Sequence, residues 1–189
     1  MLRGSLAPRG AIFKRSAAPP EKWAHRRPAL VFDDYRTALQ RSLDPNLAAT
    51  PDSVLVVRNA GPVGAPGMPE IGVIPIPVSL RHAGVHDMVC ITDGRMSGTE
   101  FGAVALHVAP ESAVGGPIGL VQDGDEIVLD AHKGILDLHV GERELARRAH
   151  QHRPARSQPT RGYGGLYVNH VLQADQGCDM DFLMDPTTR

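Results

Sequence analysis

Short apolar runs recur along the chain, separated by polar or glycine-rich segments, and this pattern is typical of a domain built from many short strands. The runs that predict strands lie at residues 29–32, 54–58, 88–91, 103–108, 118–121, 126–130 and 135–140. The last two alternate between apolar and polar positions, so they are predicted to form an antiparallel pair, and a hairpin-like turn around Gly124 precedes them. The pattern therefore indicates a β-rich domain with few helices.

Helices are predicted where a capping residue precedes a segment whose apolar residues lie on one helical face, without the apolar–polar alternation of a strand. The predicted helices lie at residues 34–43, 79–83, 142–151 and 163–174, the last of them helical or mixed. Asp33 is expected to cap the first helix, and Ser79 the second, which is a single turn that Gly84 ends.

Residues 1–27 are rich in Pro, Ala, Arg and Gly, so they are expected to form an N-terminal arm or linker instead of a compact element. The domain would then extend over residues 28–185, with a polar linker at 153–159. Residues 186–189 would be a frayed tail.

Composition excludes several classes of protein. The 189 residues suffice for one domain with a sizeable core, and the 4% of aromatic residues implies that aliphatic side chains fill it. The net charge of −1 gives no electrostatic reason to expect binding to nucleic acid or to an anionic membrane, and no apolar run has the length of a membrane span. The N-terminal segment lacks the apolar region of a secretory signal, and the two cysteines form neither a CxxC motif nor a disulfide framework. A cytoplasmic protein is therefore expected.

The candidate chemistry is concentrated in residues 92–99, which follow one predicted strand and precede another. This segment, Thr-Asp-Gly-Arg-Met-Ser-Gly-Thr, carries an acid, a base and hydroxyl groups among glycines that permit close approach to a ligand. Such loops commonly hold catalytic groups, because a rigid scaffold aims them. Taken alone, the spacing favours a plain connection between core strands, since it matches neither a phosphate-binding loop nor a nucleophile elbow.

Several separated motifs make the chain resemble the dihydroxy-acid and sugar-acid dehydratase family. They lie, in order, at residues 2–8, 67–70, 93–99, 106–111, 115–117, 123–125, 144–148, 161–167 and 173–175. Together these motifs cover nearly the whole chain and are more specific than any one of them. The chain departs from the family's common residues at Ser5, Arg9, Arg27 and Pro28.

The resemblance implies a β-rich α/β fold, namely a β-barrel-like swivelling domain flanked by a few helices. It also implies that the chain is the C-terminal part of a longer enzyme, or a stand-alone fragment of one. The partners that it implies are a larger, cluster-binding N-terminal domain, a small sugar-acid substrate and further copies in a homo-oligomer.

The implied reaction is the dehydration of a 2,3-dihydroxy acid, which needs a base beside the carboxylate, a metal for the developing enolate and a Lewis acid for the departing hydroxide. By resemblance, Ser97 is the base, acting as an alkoxide, and Glu70 is a magnesium ligand. A serine hydroxyl is a very weak acid, so cations or hydrogen-bond donors must stabilise its anion. One carboxylate is too few for a magnesium site, so other ligands must come from elsewhere. Without the resemblance, Ser97 would be interpreted as a turn serine and Glu70 as a solvated loop residue.

Other polar residues of the motifs have less definite roles. Arg95 could bind the substrate carboxylate with two hydrogen bonds, but pairing with Asp93 inside the loop is favoured. Thr99 could bind a substrate hydroxyl or equally cap the following segment. His107 is expected to be a core histidine, and Glu111 could cap a helix end.

The Lewis acid has no predicted ligands in this chain. In the family it is an iron–sulfur cluster, a 2Fe-2S cluster, held by three cysteines of the N-terminal domain. Cys90 lies in a predicted core strand and Cys178 matches no ligand motif. The remaining magnesium ligands are also expected in the N-terminal domain, so this chain alone should neither assemble the cluster nor dehydrate a substrate.

Residues around Ser97 resemble the sugar-acid branch of the family. Met96 before the serine and Phe101-Gly102 behind it match that branch, whereas the branched-chain amino-acid branch usually has phenylalanine before the serine; Gly94 departs, since alanine is frequent there. The expected reaction of carbohydrate metabolism converts an aldonate to a 2-keto-3-deoxy acid. The alternatives are a dihydroxy-acid dehydratase of branched-chain amino-acid synthesis, a non-catalytic remnant or interaction domain, and the small subunit of a two-chain hydro-lyase.

Overall fold

The structure, a computed structural model, describes residues 1–97, 101–152 and 159–184. Its strands are β1 (Gly10–Phe13), β2 (Ala24–Phe32), β3 (Val54–Val57), β4 (Cys90–Thr92), β5 (Val104–Ala109), β6 (Glu126–Asp130) and β7 (Ile135–His139). Its helices are α1 (Tyr35–Arg41), α2 (Val78–His82), α3 (Glu142–Gln151) and α4 (Gly162–His170). Among several short 3-10 helices, Ser112–Val114 and Pro117–Leu120 lie in the turn after β5.

The strands form one sheet in the order β1-β5-β4-β3-β2-β6-β7. The pairs within the central group β5-β4-β3-β2 are parallel, whereas β1 at one edge and the β6–β7 pair at the other are antiparallel to their neighbours. The long strand β2 joins the two parts, because its first residues pair with β6 and residues 29–32 pair with β3.

Residues 2–6 nearly close this sheet into a barrel, since they contact both edges. Leu2 pairs with β1, Arg3 pairs with β7, and the Leu6 N–H donates to a carbonyl oxygen of β7 at 3.2 Å. The predicted class, a β-rich α/β domain with a barrel-like sheet and a few flanking helices, is confirmed.

Two apolar cores lie on opposite faces of the central strands. Val54 and Val56 of β3 belong to the core inside the barrel, whereas Leu55 and Val57 belong to an outer core that α1 and α2 cover. A strand buried on both faces needs apolar residues at every position. This is why the central strands are continuous apolar runs in the sequence.

The expectation that residues 1–27 form an arm is wrong. They contain β1 and the start of β2, and Leu2 and Leu6 are buried in the barrel core. Pro28 pairs within β2, so a boundary before it would cut a strand. Gly10, one of the glycines in this segment, has a φ of 123° at an irregularity in the β1–β5 pairing, where a side chain would be strained.

Most other predicted elements are present, including the antiparallel β6–β7 pair and α3. The predicted strand at 118–121 is wrong, because these residues enter the 3-10 helix Pro117–Leu120, whose first residue lacks an N–H and has a fixed φ. A short apolar run cannot by itself distinguish a strand from a helical turn.

Two predicted helix caps also differ. Asp34, not Asp33, caps α1, and its carboxylate accepts the Thr37 N–H at 2.7 Å. At α2 the cap position is occupied by Pro77, and Ser79 lies inside the helix. None of the helices in the described parts of the chain combines the length and the apolar composition that crossing a membrane requires.

The predicted linker and tail fall almost entirely beyond the described part of the chain. Except for Pro159, residues 153–159 lie outside the described residues, as do residues 186–189.

Candidate functional site

The loop that carries Ser97 begins directly after β4, and backbone hydrogen bonds fix its first residue. The Asp93 carboxylate is fully buried. It accepts the N–H groups of Asn59 at 3.2 Å, Ala60 at 2.9 Å and Ser112 at 2.9 Å. Burial raises the pKa of Asp93 to about 6, although the three N–H donors oppose that rise. Asp93 therefore joins its own loop to the loop after β3 and to the turn after β5.

The expected pairing of Arg95 with Asp93 is wrong, because the Asp93 carboxylate is turned inward to buried amides. The Arg95 Nε instead donates to the Met68 carbonyl oxygen at 2.7 Å, and its Nη1 lies 3.6 Å from Oε2 of Glu70. In the opposite direction, the Ile71 N–H donates to the Arg95 carbonyl oxygen at 3.0 Å. The loop of the predicted metal ligand and the loop of the predicted base are thus bound side by side.

Glu111 does not cap a helix with its side chain, although it precedes the 3-10 helix Ser112–Val114. Its buried carboxylate accepts the N–H groups of Val63 at 2.9 Å and Gly64 at 2.8 Å. The side-chain amide of Gln173 donates to the same carboxylate at 2.7 Å. Glu111 consequently holds the middle of the loop that ends at Glu70.

Sequence reasoning missed these positioning roles of Asp93 and Glu111. A signal was present, because Asp93 comes one residue and Glu111 two residues after a strand whose last residues are buried. Charged residues at such positions are rarely buried unless hydrogen bonds satisfy them. An acid at the end of a core strand therefore predicts a set of backbone donors around it.

The side chains of the predicted metal ligand and the predicted base are both accessible to solvent. The Glu70 side chain is 48% exposed, and Ser97 is half-buried. Met96, directly before the serine, is buried in the outer core and anchors the loop. Thr99 lies outside the described residues, so its contact with a substrate stays a prediction.

A cavity of about 30 Å³ lies beside Ser97. It is lined by Lys14, Ala17, Met96, Ser97, Phe101, Gly102, Val104 and Leu106. A second cavity of about 70 Å³ shares Met96 and Phe101 with it and extends to Asp87. Phe101 is 81% exposed, so an apolar ring stands at the rim of both spaces.

His107 is half-buried, which differs from the expected core position. Its N–H donates to the Gly94 carbonyl oxygen at 3.1 Å, and its φ of 54° bends the backbone within β5. Burial, followed by the positive charge of Arg95, lowers the pKa of His107. These surroundings therefore disfavour the protonated imidazole.

Both cysteines in the described part of the chain are free thiols, whereas an iron–sulfur cluster is held by thiolates. Cys90 is buried, and burial raises the pKa of its thiol. Burial and the charge of Glu111 also raise the pKa of Cys178, whose Sγ lies 3.5 Å from Sδ of Met68. These surroundings disfavour the thiolate form of both side chains.

Glu70 fits one ligand position of a magnesium site, since a half-exposed carboxylate is a suitable hard ligand. Within residues 1–97, 101–152 and 159–184, no three His, Cys, Asp or Glu side chains are grouped so that they could hold a metal ion. A site that includes Glu70 would thus be shared with groups beyond these residues.

Comparison with known proteins identifies the family. Residues 1–178 match the family model described as dihydroxy-acid/6-phosphogluconate dehydratase C-terminal. The chain belongs to the dihydroxy-acid/6-phosphogluconate dehydratase family. Three of the motifs that carry the resemblance contain Asp93, Glu111 and Gln173, and these side chains bind the loops of the domain together.

Similar proteins act on different acids. A 6-deoxy-6-sulfo-D-gluconate dehydratase of Pseudomonas putida is 54% identical over 183 residues. An L-arabonate dehydratase of Azospirillum brasilense is 48% identical over 193 residues, and a dihydroxy-acid dehydratase of Aeropyrum pernix is 46% identical over 178 residues. These matches cover 97%, 97% and 94% of the chain but 32%, 33% and 31% of the relatives. The chain therefore spans about a third of the length of the relatives it matches.

Proposed function

We propose that the chain is the C-terminal domain of a hydro-lyase that dehydrates an aldonate to a 2-keto-3-deoxy acid. Arg95, which lies two residues before Ser97, contacts the loop of Glu70, and this contact is the observation that carries the proposal. It supports a single site in which one hydroxyl and one hard carboxylate face the same small ligand.

In the proposed reaction, Ser97 acts as an alkoxide and takes the proton from the carbon beside the substrate carboxylate. Glu70 supplies one ligand to magnesium, which when bound would stabilise the negative charge that develops on the substrate. Arg95 places the Glu70 carboxylate and can also approach the substrate carboxylate with its remaining N–H groups. Thr99 is proposed to bind a substrate hydroxyl.

Departure of the hydroxyl group from carbon 3 of the substrate is proposed to depend on groups outside this chain. We assign the 2Fe-2S cluster and the other magnesium ligands to an N-terminal domain, because Cys90 is buried, Cys178 belongs to no ligand motif and the chain spans about a third of the length of its relatives. The assembled enzyme is proposed to be a cytoplasmic homo-oligomer, and the chain alone to be inactive.

The aldonate assignment is supported by the residues around Ser97 and by the names of two relatives, which dehydrate a sulfogluconate and L-arabonate. A branched 2,3-dihydroxy acid is the second candidate, because a dihydroxy-acid dehydratase is 46% identical. A non-catalytic remnant is less well supported, since Glu70 and Ser97 are both retained.

The test joins residues 1–189 to the N-terminal part of the Pseudomonas putida relative and measures 2-keto-3-deoxy acid formation from several aldonates and from a branched dihydroxy acid. Preference for an aldonate supports the proposal, whereas preference for the branched acid selects the second candidate. Ser97→Ala should abolish turnover while thermal unfolding stays unchanged. A normal rate in this variant would make the base assignment wrong.

The metal role is tested separately in the same enzyme. Glu70→Gln should raise the magnesium concentration needed for half-maximal rate by at least tenfold, because a neutral amide is a poorer ligand than a carboxylate. Glu126→Gln, a surface change on β6, is the matched control and should leave the titration unchanged. An unchanged titration in Glu70→Gln would contradict the ligand role.

A further inference from the structure

The proposed base raises a question that the sequence leaves open, namely which group stabilises the anion of Ser97. A serine hydroxyl ionises near neutral pH only when positive charge or strong donors lie close to its oxygen. The cavity of about 30 Å³ beside Ser97 has Lys14 in its wall. A space of that size holds about one water molecule, and Lys14 and Ser97 both border it.

The fold places Lys14 at this cavity for a local reason. Lys14 directly follows β1, in which Phe13 lies opposite Ala105 of β5. The chain then continues past the end of the serine loop, where the Gly102 N–H donates to the Ala17 carbonyl oxygen at 2.8 Å. One hydrogen bond and one strand pairing thus fix the segment of Lys14 beside the loop of Ser97.

Other charged groups around the loop are directed elsewhere. Arg15 stacks on Trp23, with its Cζ 4.0 Å from the ring centroid. Arg95 binds the opposite loop, and the Asp93 carboxylate is enclosed by backbone amides. His86 and Asp87 line the adjoining cavities beyond the ring of Phe101, not the cavity of Ser97. Among the described residues in the wall of the serine cavity, Lys14 is the charged one.

We propose that Lys14 is a positioning residue whose ammonium group stabilises the alkoxide of Ser97. This inference rests on the proposed function, because it gives the base the cation that its ionisation requires. The Ser97 hydroxyl releases its proton to solvent, and the alkoxide forms beside the ammonium group. During turnover the alkoxide takes the substrate proton and becomes a hydroxyl again, while Lys14 keeps its own protons throughout.

The test measures kcat/KM against pH in the joined enzyme for the wild type, Lys14→Met and Lys14→Arg. Loss of the positive charge in Lys14→Met should shift the acid limb of the profile to higher pH by at least one unit. It should also lower kcat/KM at pH 7 at least tenfold. Lys14→Arg keeps the charge and should restore most of the rate. Arg15→Met removes the neighbouring cation that faces Trp23, and it should leave the profile in place.

Each other outcome has a distinct meaning. An unshifted acid limb in Lys14→Met overturns the inference, and so does a rise in KM at constant kcat, which would make Lys14 a substrate-binding residue. If Lys14→Met and Lys14→Arg both unfold at a lower temperature and neither shifts the acid limb, Lys14 has a purely structural role. That result also overturns the inference. Failure of the proposed function is recognised separately, by normal turnover in Ser97→Ala.

Discussion

Asp93 positions the site through its buried carboxylate without reacting in it. Three backbone N–H groups converge on its two oxygens. In Asp93→Asn, one oxygen is replaced by an NH2 group that faces a buried N–H, so a donor loses its acceptor. We expect the free energy of unfolding at pH 7 to fall by about 1–3 kcal/mol. Urea denaturation measures this change.

The matched control is Asp52→Asn, which alters an exposed carboxylate paired with Arg27. Surface ion pairs contribute about 0–1 kcal/mol, so this variant should remain close to the wild type. Equal losses in the two variants would contradict the positioning role of Asp93.

The pKa of Asp93 also predicts how stability changes with pH. Because burial raises this pKa from 3.8 to about 6, the folded state binds the proton more tightly than the unfolded state. The resulting stability is fully present below pH 3.8 and is lost as the pH rises through 6. The wild type should therefore exceed Asp93→Asn in unfolding free energy by more at pH 4 than at pH 7.

Histidines do not disturb this comparison. Burial lowers the pKa values of His25 and His107 below 6.5, so the contribution of each to the free energy of unfolding decreases as the pH falls. This decrease is the same in the wild type and in Asp93→Asn. Denaturation curves of both proteins at the two pH values give the difference. A difference that is constant, or larger at pH 7, would contradict the raised pKa of Asp93.

At the scale of elements, the turn after β5 depends on two adjacent glycines for different reasons. Gly115 has a φ of 85° and open space where the methyl group of an alanine would lie, whereas a Cβ at Gly116 would overlap the Pro110 carbonyl oxygen. Gly115→Ala should therefore cost roughly 1–2 kcal/mol of stability, from its left-handed backbone. Gly116→Ala should cost about 3 kcal/mol or more, because backbone must move.

The consequence of Gly116→Ala should reach the site. Its N–H donates to the Glu111 carbonyl oxygen at 2.9 Å, so a displaced turn also displaces the carboxylate that holds the loop of Glu70. Denaturation of the two alanine variants compares them directly. Similar costs at the two positions would show that the contact with Pro110 is easily relieved.

The elements that sequence predicted correctly are those whose pattern is local. Alternation in β6 and β7, the two-sided apolar run of β3 and the polar helix α3 each follow from a few neighbouring residues. The contact between Arg95 and Glu70 could not be predicted in this way. It depends on the loop after β3 folding back, which buried acids at the ends of two other strands bring about.

At the scale of the whole molecule, closure of the barrel relies on residues 2–6, which belong to the segment that its composition predicted to be a linker. Leu6 is fully buried between the two edges of the sheet. We expect Leu6→Ala to lower the free energy of unfolding by about 2–5 kcal/mol, as for other buried leucines. Ile12→Ala in β1, at a position that is 44% exposed, is the control and should cost about 1 kcal/mol or less.

Denaturant unfolding of these two variants tests the role of the first residues. If Leu6→Ala were no more harmful than Ile12→Ala, the N-terminal segment would be dispensable for the barrel. Local pattern could not reveal this role, because Arg3 and Leu6 meet the edge strand β7 through pairings with residues far along the chain.

The last prediction concerns the proposed division of the active centre between this chain and an N-terminal domain. The isolated chain has its own buried cores and should unfold cooperatively, yet it should form no 2-keto-3-deoxy acid from any aldonate in the presence of magnesium. Glu70 alone is too few ligands for a magnesium site, and among the described residues neither cysteine belongs to a group of three side chains that could hold a metal ion. The joined enzyme, assayed in parallel, is the positive control. Turnover by the folded chain alone would mean that one base and one carboxylate suffice, and it would remove the reason for assigning the rest of the chemistry to another domain.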